Sequence, residues 1–208
     1  MSILFSGCSH TFGADLKDPE SQRYSTLVGE KLGKEVVNVA IEGASNDHIT
    51  RRTLERLDES IEFVFVQFTS QDRIEFWKMQ RRGWANLMPG MYRNSKSRYH
   101  DLAKHWFGHF SCPEHSSSNL WKNIYLLETT LTVPHYFFII NRGEDCNNIY
   151  KSKSSWKNIL SEEDLLGISL RRHPTAEEHF KLADQLVDKY KHIHYNKGVT
   201  TVTSGVTE

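Results

Sequence analysis

The sequence predicts a three-layer α/β/α domain on a mostly parallel central sheet, with a helical insertion after the third strand. Three observations lead there. The first half alternates short apolar or β-branched runs with stretches of helical spacing. The third apolar run, Glu62–Phe68, is almost continuous, as expected of a strand covered on both faces. The length, 208 residues, suits one domain carrying an insertion.

Ser2–Ser6 reads as a short strand that stops in a Gly/Ser turn. Tyr24, Leu27, Val28 and Leu32 recur at helical spacing as far as Gly33. Glu35–Ala40 is β-branched and reads as the second strand; Asn46–Leu57 is an amphipathic helix with Ile49, Thr53, Leu54 and Leu57 on one side. Repeated strand–helix–strand order implies right-handed crossovers and parallel pairing. Residues 73–118 carry Trp77, Trp84, Trp106, Phe107 and four histidines, and read as a helical insertion or lid. Large rings in a small domain are more often core than ligand platforms, and these are expected to be core. Leu120–Leu131 predicts a helix, His135–Ile140 a fourth core strand, and Asn141–Lys153 a polar loop. The last helix opens at His173-Pro174-Thr175, where Thr175 and Glu178 form a capping box and Phe180, Leu182, Ala183, Leu186 and Val187 form the buried stripe. Residues 1–195 are expected to be one domain and 196–208 a loosely held tail.

Composition narrows the function. Lys plus Arg and Asp plus Glu both number 26, which gives no electrostatic case for nucleic acid or a polybasic membrane contact. The longest apolar runs, such as Tyr136–Ile140, are strand-length, so no membrane insertion is expected. Ser6-Gly7-Cys8-Ser9 interrupts any signal-peptide pattern, and Cys8, Cys112 and Cys146 form no CxxC pair. A reduced, cytoplasmic protein is the expectation.

Four segments could carry chemistry, three of them directly after strands, where ligands bind in open parallel sheets. Gly7-Cys8-Ser9-His10-Thr11-Phe12-Gly13 follows the first strand and would project Ser9 from the sheet edge. Gly43 lies in the loop after the second strand, where Ser45 or Asn46 also caps the next helix. Thr69-Ser70-Gln71-Asp72-Arg73 follows the third, with Asp72 and Arg73 expected to pair across the loop. His173 is biased from helical angles by Pro174 and stands at a loop-to-helix junction, a place for a general base.

Together these blocks resemble the SGNH (GDSL-type) hydrolase family across most of residues 1–190. Residues 7–13 look like G-D-S-x-T-x-G, Thr69-Ser70-Gln71-Asp72 stands where the family has G-x-N-D, and His173-Pro174 looks like the end of D-x-x-H-P. The resemblance implies Ser9 as nucleophile, His173 as base, and the Gly43 N–H with Ser70 or Gln71 as oxyanion donors. It implies a serine ester hydrolase acting on a small-molecule or glycan ester, including O-acetyl esters, and needing no cofactor. Cys8 replaces the first-block Asp, and Leu170 stands where the acid partner of the base belongs; Asp164, Glu163 or Asp145 could supply that acid instead, or a carbonyl could orient a Ser-His dyad.

Two rival readings remain open on the residues. One is a hydrolase scaffold that has lost catalysis and only binds. The other is a structural zinc site from His105, His109, Cys112 and His115, whose first pair has i,i+4 spacing. Gln80-Arg81-Arg82 and Arg171-Arg172 read most simply as solvated faces, although the latter pair flanks His173 and could attract an anionic substrate.

Overall fold

A computed structural model of the chain describes residues 1–79, 82–139 and 173–196. Among these the order is β1 (Ser2–Ser6), α1 (Ser9–Phe12), α2 (Pro19–Gln22), α3 (Tyr24–Leu32), β2 (Glu35–Asn38), α4 (Asn46–Arg56), β3 (Ile61–Phe68), β4 (Ile74–Lys78), β5 (Gly83–Leu87), α5 (Pro89–Arg93), α6 (His100–His109), α7 (Pro113–Thr130), β6 (His135–Ile139) and α8 (Ala176–Asn196).

Strands β2, β1, β3 and β6 pair in that order, all parallel. Alternation along the strands sends their side chains to opposite faces. Leu4, Val64, Val66 and Phe68 join Ile49 of α4 and Ile124 and Leu127 of α7 in one layer. Ile3, Phe5, Phe63 and Phe65 join Tyr24 and Val28 of α3 and Leu182 and Leu186 of α8 in the other. Each such fully buried side chain stabilises the fold by about 1.5–3 kcal/mol, so both faces need helices. This is the three-layer α/β/α architecture the sequence predicts. Because the four strands run the same way, the loops after β1, β2 and β3 emerge at one edge.

The insertion is only partly helical. It begins as the antiparallel hairpin β4–β5, with Trp77 opposite Trp84 and Glu75 opposite Asn86. Ile74-Glu75-Phe76-Trp77-Lys78 alternates with period two, and Glu75 is held on α4 by Arg51 Nη2 (2.8 Å) and His48 Nδ1 (2.7 Å). Helices α5 and α6 follow. Trp77 and Trp84 are nearly half exposed, and Trp106 and Phe107 are only partly buried, so these rings are not core. The hairpin is too short to bury them: the Arg51 guanidinium lies over Trp84, 5.1 Å from its ring, and Trp77 meets it edge-on.

Other boundaries shift for local reasons. The second strand stops at Asn38, whose Oδ1 accepts the Ala40 N–H and turns the chain. Helix α7 starts seven residues before the expected Leu120, at Pro113 in its first turn. The capping box forms as expected: the Thr175 N–H donates to Glu178 Oε2 (2.7 Å) and the Glu178 N–H to Thr175 Oγ1 (3.3 Å). Phe180 is half exposed beneath Lys31 Nζ rather than buried; His179 takes the interior position. No described helix is long and apolar enough to cross a membrane. Asn141–Lys153, Cys146 and residues 197–208 lie outside the described residues.

Candidate active site

The turn after β1 is fixed from beneath by one buried side chain. Gln67, near the end of β3, accepts two hydrogen bonds on Oε1, from the Cys8 N–H (3.1 Å) and Thr11 Oγ1 (3.1 Å), and the same oxygen lies 3.2 Å from Cys8 Sγ. Its Nε2 donates to the Phe68 carbonyl at 2.6 Å, which sets the amide's orientation. Thr11 also bonds to the buried Tyr24 hydroxyl. This crowding explains Gly7, where a Cβ would fall 2.0 Å from Thr11 Oγ1 and 2.9 Å from Gln67 Oε1. Cys8 is the N-cap residue of α1, and Ser9 opens the helix with 6% of its surface exposed. Ser9 Oγ lies 3.9 Å from Cys8 Sγ.

His173 comes to this turn from the far end of the chain. Its ring packs edge-on against that of His10, the residue after Ser9, with centroids 5.4 Å apart. Its Nδ1 lies 2.6 Å from Asp15 Oδ2, so Nδ1–H donates to a carboxylate. Asp15 sits just past α1 with a left-handed φ of 67°. The carboxylate paired with His173 is therefore that of Asp15, which stands just past the turn that carries Ser9. Leu170, Asp164, Glu163, Asp145, Arg171 and Arg172 lie outside the described residues. A second histidine anchors α8: the Tyr24 N–H donates to His179 Nδ1 (3.1 Å), and the two rings stack at 5.5 Å.

The second and third loops are clasped together at the same edge. Asn46 Oδ1 accepts the Thr69 N–H (2.9 Å) while its Nδ2 donates to the Thr69 carbonyl (3.2 Å). Arg73 Nη1 donates to the Ala44 carbonyl (3.2 Å), and not to Asp72 as expected. Gly43 has φ 70°, and a Cβ there would meet Met88 Cε at 2.9 Å. Ser45, rather than Asn46, caps α4 by accepting the His48 N–H. Ser70 is half-buried; Gln71 is buried, and its amide oxygen is taken by Ser117 Oγ of α7 at 3.0 Å. Parallel topology thus brings Ser9, Gly43 and Ser70 to one edge, and the His10–His173 contact brings His173 there too.

Charge is concentrated at this edge. Burial pushes the Cys8 thiol up, but His10 (Nδ1 3.5 Å from Sγ), the charge of Arg73 and the Thr69 hydroxyl together bring it down to about 5. Burial, with the like charges of His10 and His173, lowers His179 to about 4 and keeps it neutral. The histidines proposed for zinc do not form such a centre. His105 and His109 have ring centroids 5.1 Å apart on α6, Cys112 caps α7, and among the described residues no three His, Cys, Asp or Glu side chains converge as metal ligands.

Sequence reasoning missed Asp15, Gln67, His10, His179 and Asn46. Gln67 left a signal, being the single uncharged polar residue in the apolar strand Ile61–Phe68. Asp15 left none.

No protein-family model matches the chain, and no curated protein matches its sequence. Solved structures do resemble it. A psychrotrophic esterase, EstA, from Pseudoalteromonas sp. superposes with TM-score 0.53 at 13% identity, over 94% of this chain and 99% of the esterase. A member of the lipolytic G-D-S-L family from Veillonella parvula gives TM-score 0.51 at 12% identity, over 92% of this chain and 98% of that one. A family 2 carbohydrate esterase with a carbohydrate-binding domain, from Corynascus thermopiles, gives TM-score 0.55 at 12% identity, over 93% of this chain and 66% of that one. The fold is the SGNH hydrolase fold.

Proposed function

We propose that this chain is a serine ester hydrolase that transfers an acyl group to Ser9, with His173 as base and Asp15 as the carboxylate that orients it. The observation carrying this reading is the 2.6 Å contact of His173 Nδ1 with Asp15, made where the His173 ring meets His10 beside Ser9. A carboxylate on Nδ1 fixes the tautomer in which Nε2 is the basic nitrogen and stabilises the imidazolium that forms.

In the proposed reaction, His173 Nε2 removes the Ser9 proton as Oγ attacks the ester carbonyl carbon. The Ser9 and Gly43 N–H groups, with the Ser70 hydroxyl as third donor, hold the oxyanion. The imidazolium gives its proton to the departing alkoxide, and an alcohol leaves. Water then repeats the sequence on the acyl-enzyme and frees the acid. The left-handed backbone of Gly43 supports the donor role, because L side chains rarely adopt that conformation.

The substrate is a small-molecule or glycan ester, acyl or O-acetyl. Support comes from the fold shared with an esterase and a carbohydrate esterase. Purified protein should cleave p-nitrophenyl acetate, and Ser9→Ala should lose that turnover; equal rates in parent and variant would end the reading.

A further inference from the structure

The insertion carries a feature that ester chemistry does not use. A groove of about 440 Å³ lies between the tip of β4 and the start of α6, lined by Phe76, Trp77, Lys78, Arg98, Tyr99 and Leu102. Trp77 is 46% exposed and stands edge-on to Trp84 (5.2 Å), Phe76 meets Tyr99 at 5.4 Å, and the Arg98 guanidinium lies over the Tyr99 ring at 4.7 Å. Neither Lys78 nor Arg98 has a carboxylate partner among the described residues, and none lines the groove. The sequence repeats this imbalance. Residues 73–118 hold eight Lys or Arg against three Asp or Glu, in a chain whose charges cancel overall.

We infer that this groove binds an acidic polysaccharide whose sugars carry carboxylates, presenting the ester-bearing chain to Ser9. Alternation along β4 puts Lys78 on the same face as Phe76, which meets the Tyr99 ring that Arg98 covers, so rings and cations share one wall, which matches a monomer with an apolar ring face and a carboxylate at its edge. Uncompensated cations beside exposed rings would be costly to cover with an apolar partner and favour an anion. The hairpin joins groove to site. At its base, Asn86 Oδ1 accepts the Ser45 N–H (3.0 Å) and Met88 stands against Gly43, while Lys78 is four strand residues, roughly 13 Å, from Ile74. The inference rests on the esterase reading for its substrate, but the groove can be tested without turnover.

Ser9→Ala protein should be retarded by polygalacturonate in affinity electrophoresis, with retardation falling as salt rises, and should pass neutral dextran unretarded. Adding Trp77→Ala, or Lys78→Gln with Arg98→Gln, should weaken binding about tenfold or more, with circular dichroism confirming that each variant folds. Absence of retardation, equal retardation of the groove variants, or tighter binding of an oligo-dT or dextran sulfate than of polygalacturonate would overturn the inference. Failure of p-nitrophenyl acetate hydrolysis by the parent would instead count against the esterase reading.

Discussion

Replacing Asp15 by Asn removes the charge beside His173 Nδ1 while leaving an acceptor oxygen within reach. The effect follows from exposure. A unit charge about 4 Å from the developing imidazolium is worth about 1 kcal/mol in water and about 4 kcal/mol at the effective dielectric of a protein surface. The Asp15 side chain is 79% exposed and that of His173 33%, which places the pair toward the lower end. A loss of about 1–2 kcal/mol corresponds to roughly 5- to 30-fold in kcat/KM. That is well short of the ~10⁴ lost when a buried triad acid becomes an amide in serine proteases. The assay is p-nitrophenyl acetate turnover by parent, Asp15→Asn and Asp15→Ala protein, at low salt and at 1 M salt. Screening should shrink the difference between parent and Asn variant. Parent-level kcat/KM in both variants would refute the assignment of Asp15, and a loss of 10⁴ would refute the exposed-pair argument.

Two further outcomes follow from the buried polar groups. Gln67→Leu should lower stability by about 1–3 kcal/mol, since the Cys8 N–H loses its acceptor, and a Tm fall of roughly 2–10 °C in a thermal melt would register it; an unchanged melt would contradict the role of Oε1. His179 ordinarily titrates near 6.5 but is held to about 4 when folded, so at intermediate pH the unfolded chain takes up a proton that the folded chain refuses. The stability this contributes is complete above about pH 6.5 and is lost as pH falls toward 4, on the order of 3 kcal/mol in all. Urea unfolding across that range should show the loss, and His179→Asn should flatten it; an equally steep decline in the variant would assign the effect elsewhere.

The sheet was legible because burial on both faces writes itself into the chain: Ile61–Phe68 is apolar along nearly its whole length, and the Tyr24–Leu32 stripe needs a partner face. The ends of the candidate site were legible too, since Gly7 and Pro174 constrain their neighbours whatever else the fold does. The acid was not. A D-x-x-H spacing is local, whereas Asp15 meets His173 only once α8 has docked on α3, 158 residues away in sequence. The hairpin was missed because its alternation, Ile74-Glu75-Phe76-Trp77-Lys78, mixes charges with large rings and buries neither face well. Aromatic richness suggested core, yet the rings cluster on an element too thin to cover them.

In the proposed reaction Ser9 is a nucleophile activated by the imidazole of His173, which stands just ahead of the last helix. Treating the protein with diethyl p-nitrophenyl phosphate and reading its intact mass tests this directly. A single diethylphosphoryl group is expected on Ser9, absent from Ser9→Ala and formed far more slowly in His173→Ala. No adduct, an adduct on another residue, or equally fast labelling without His173 would contradict it.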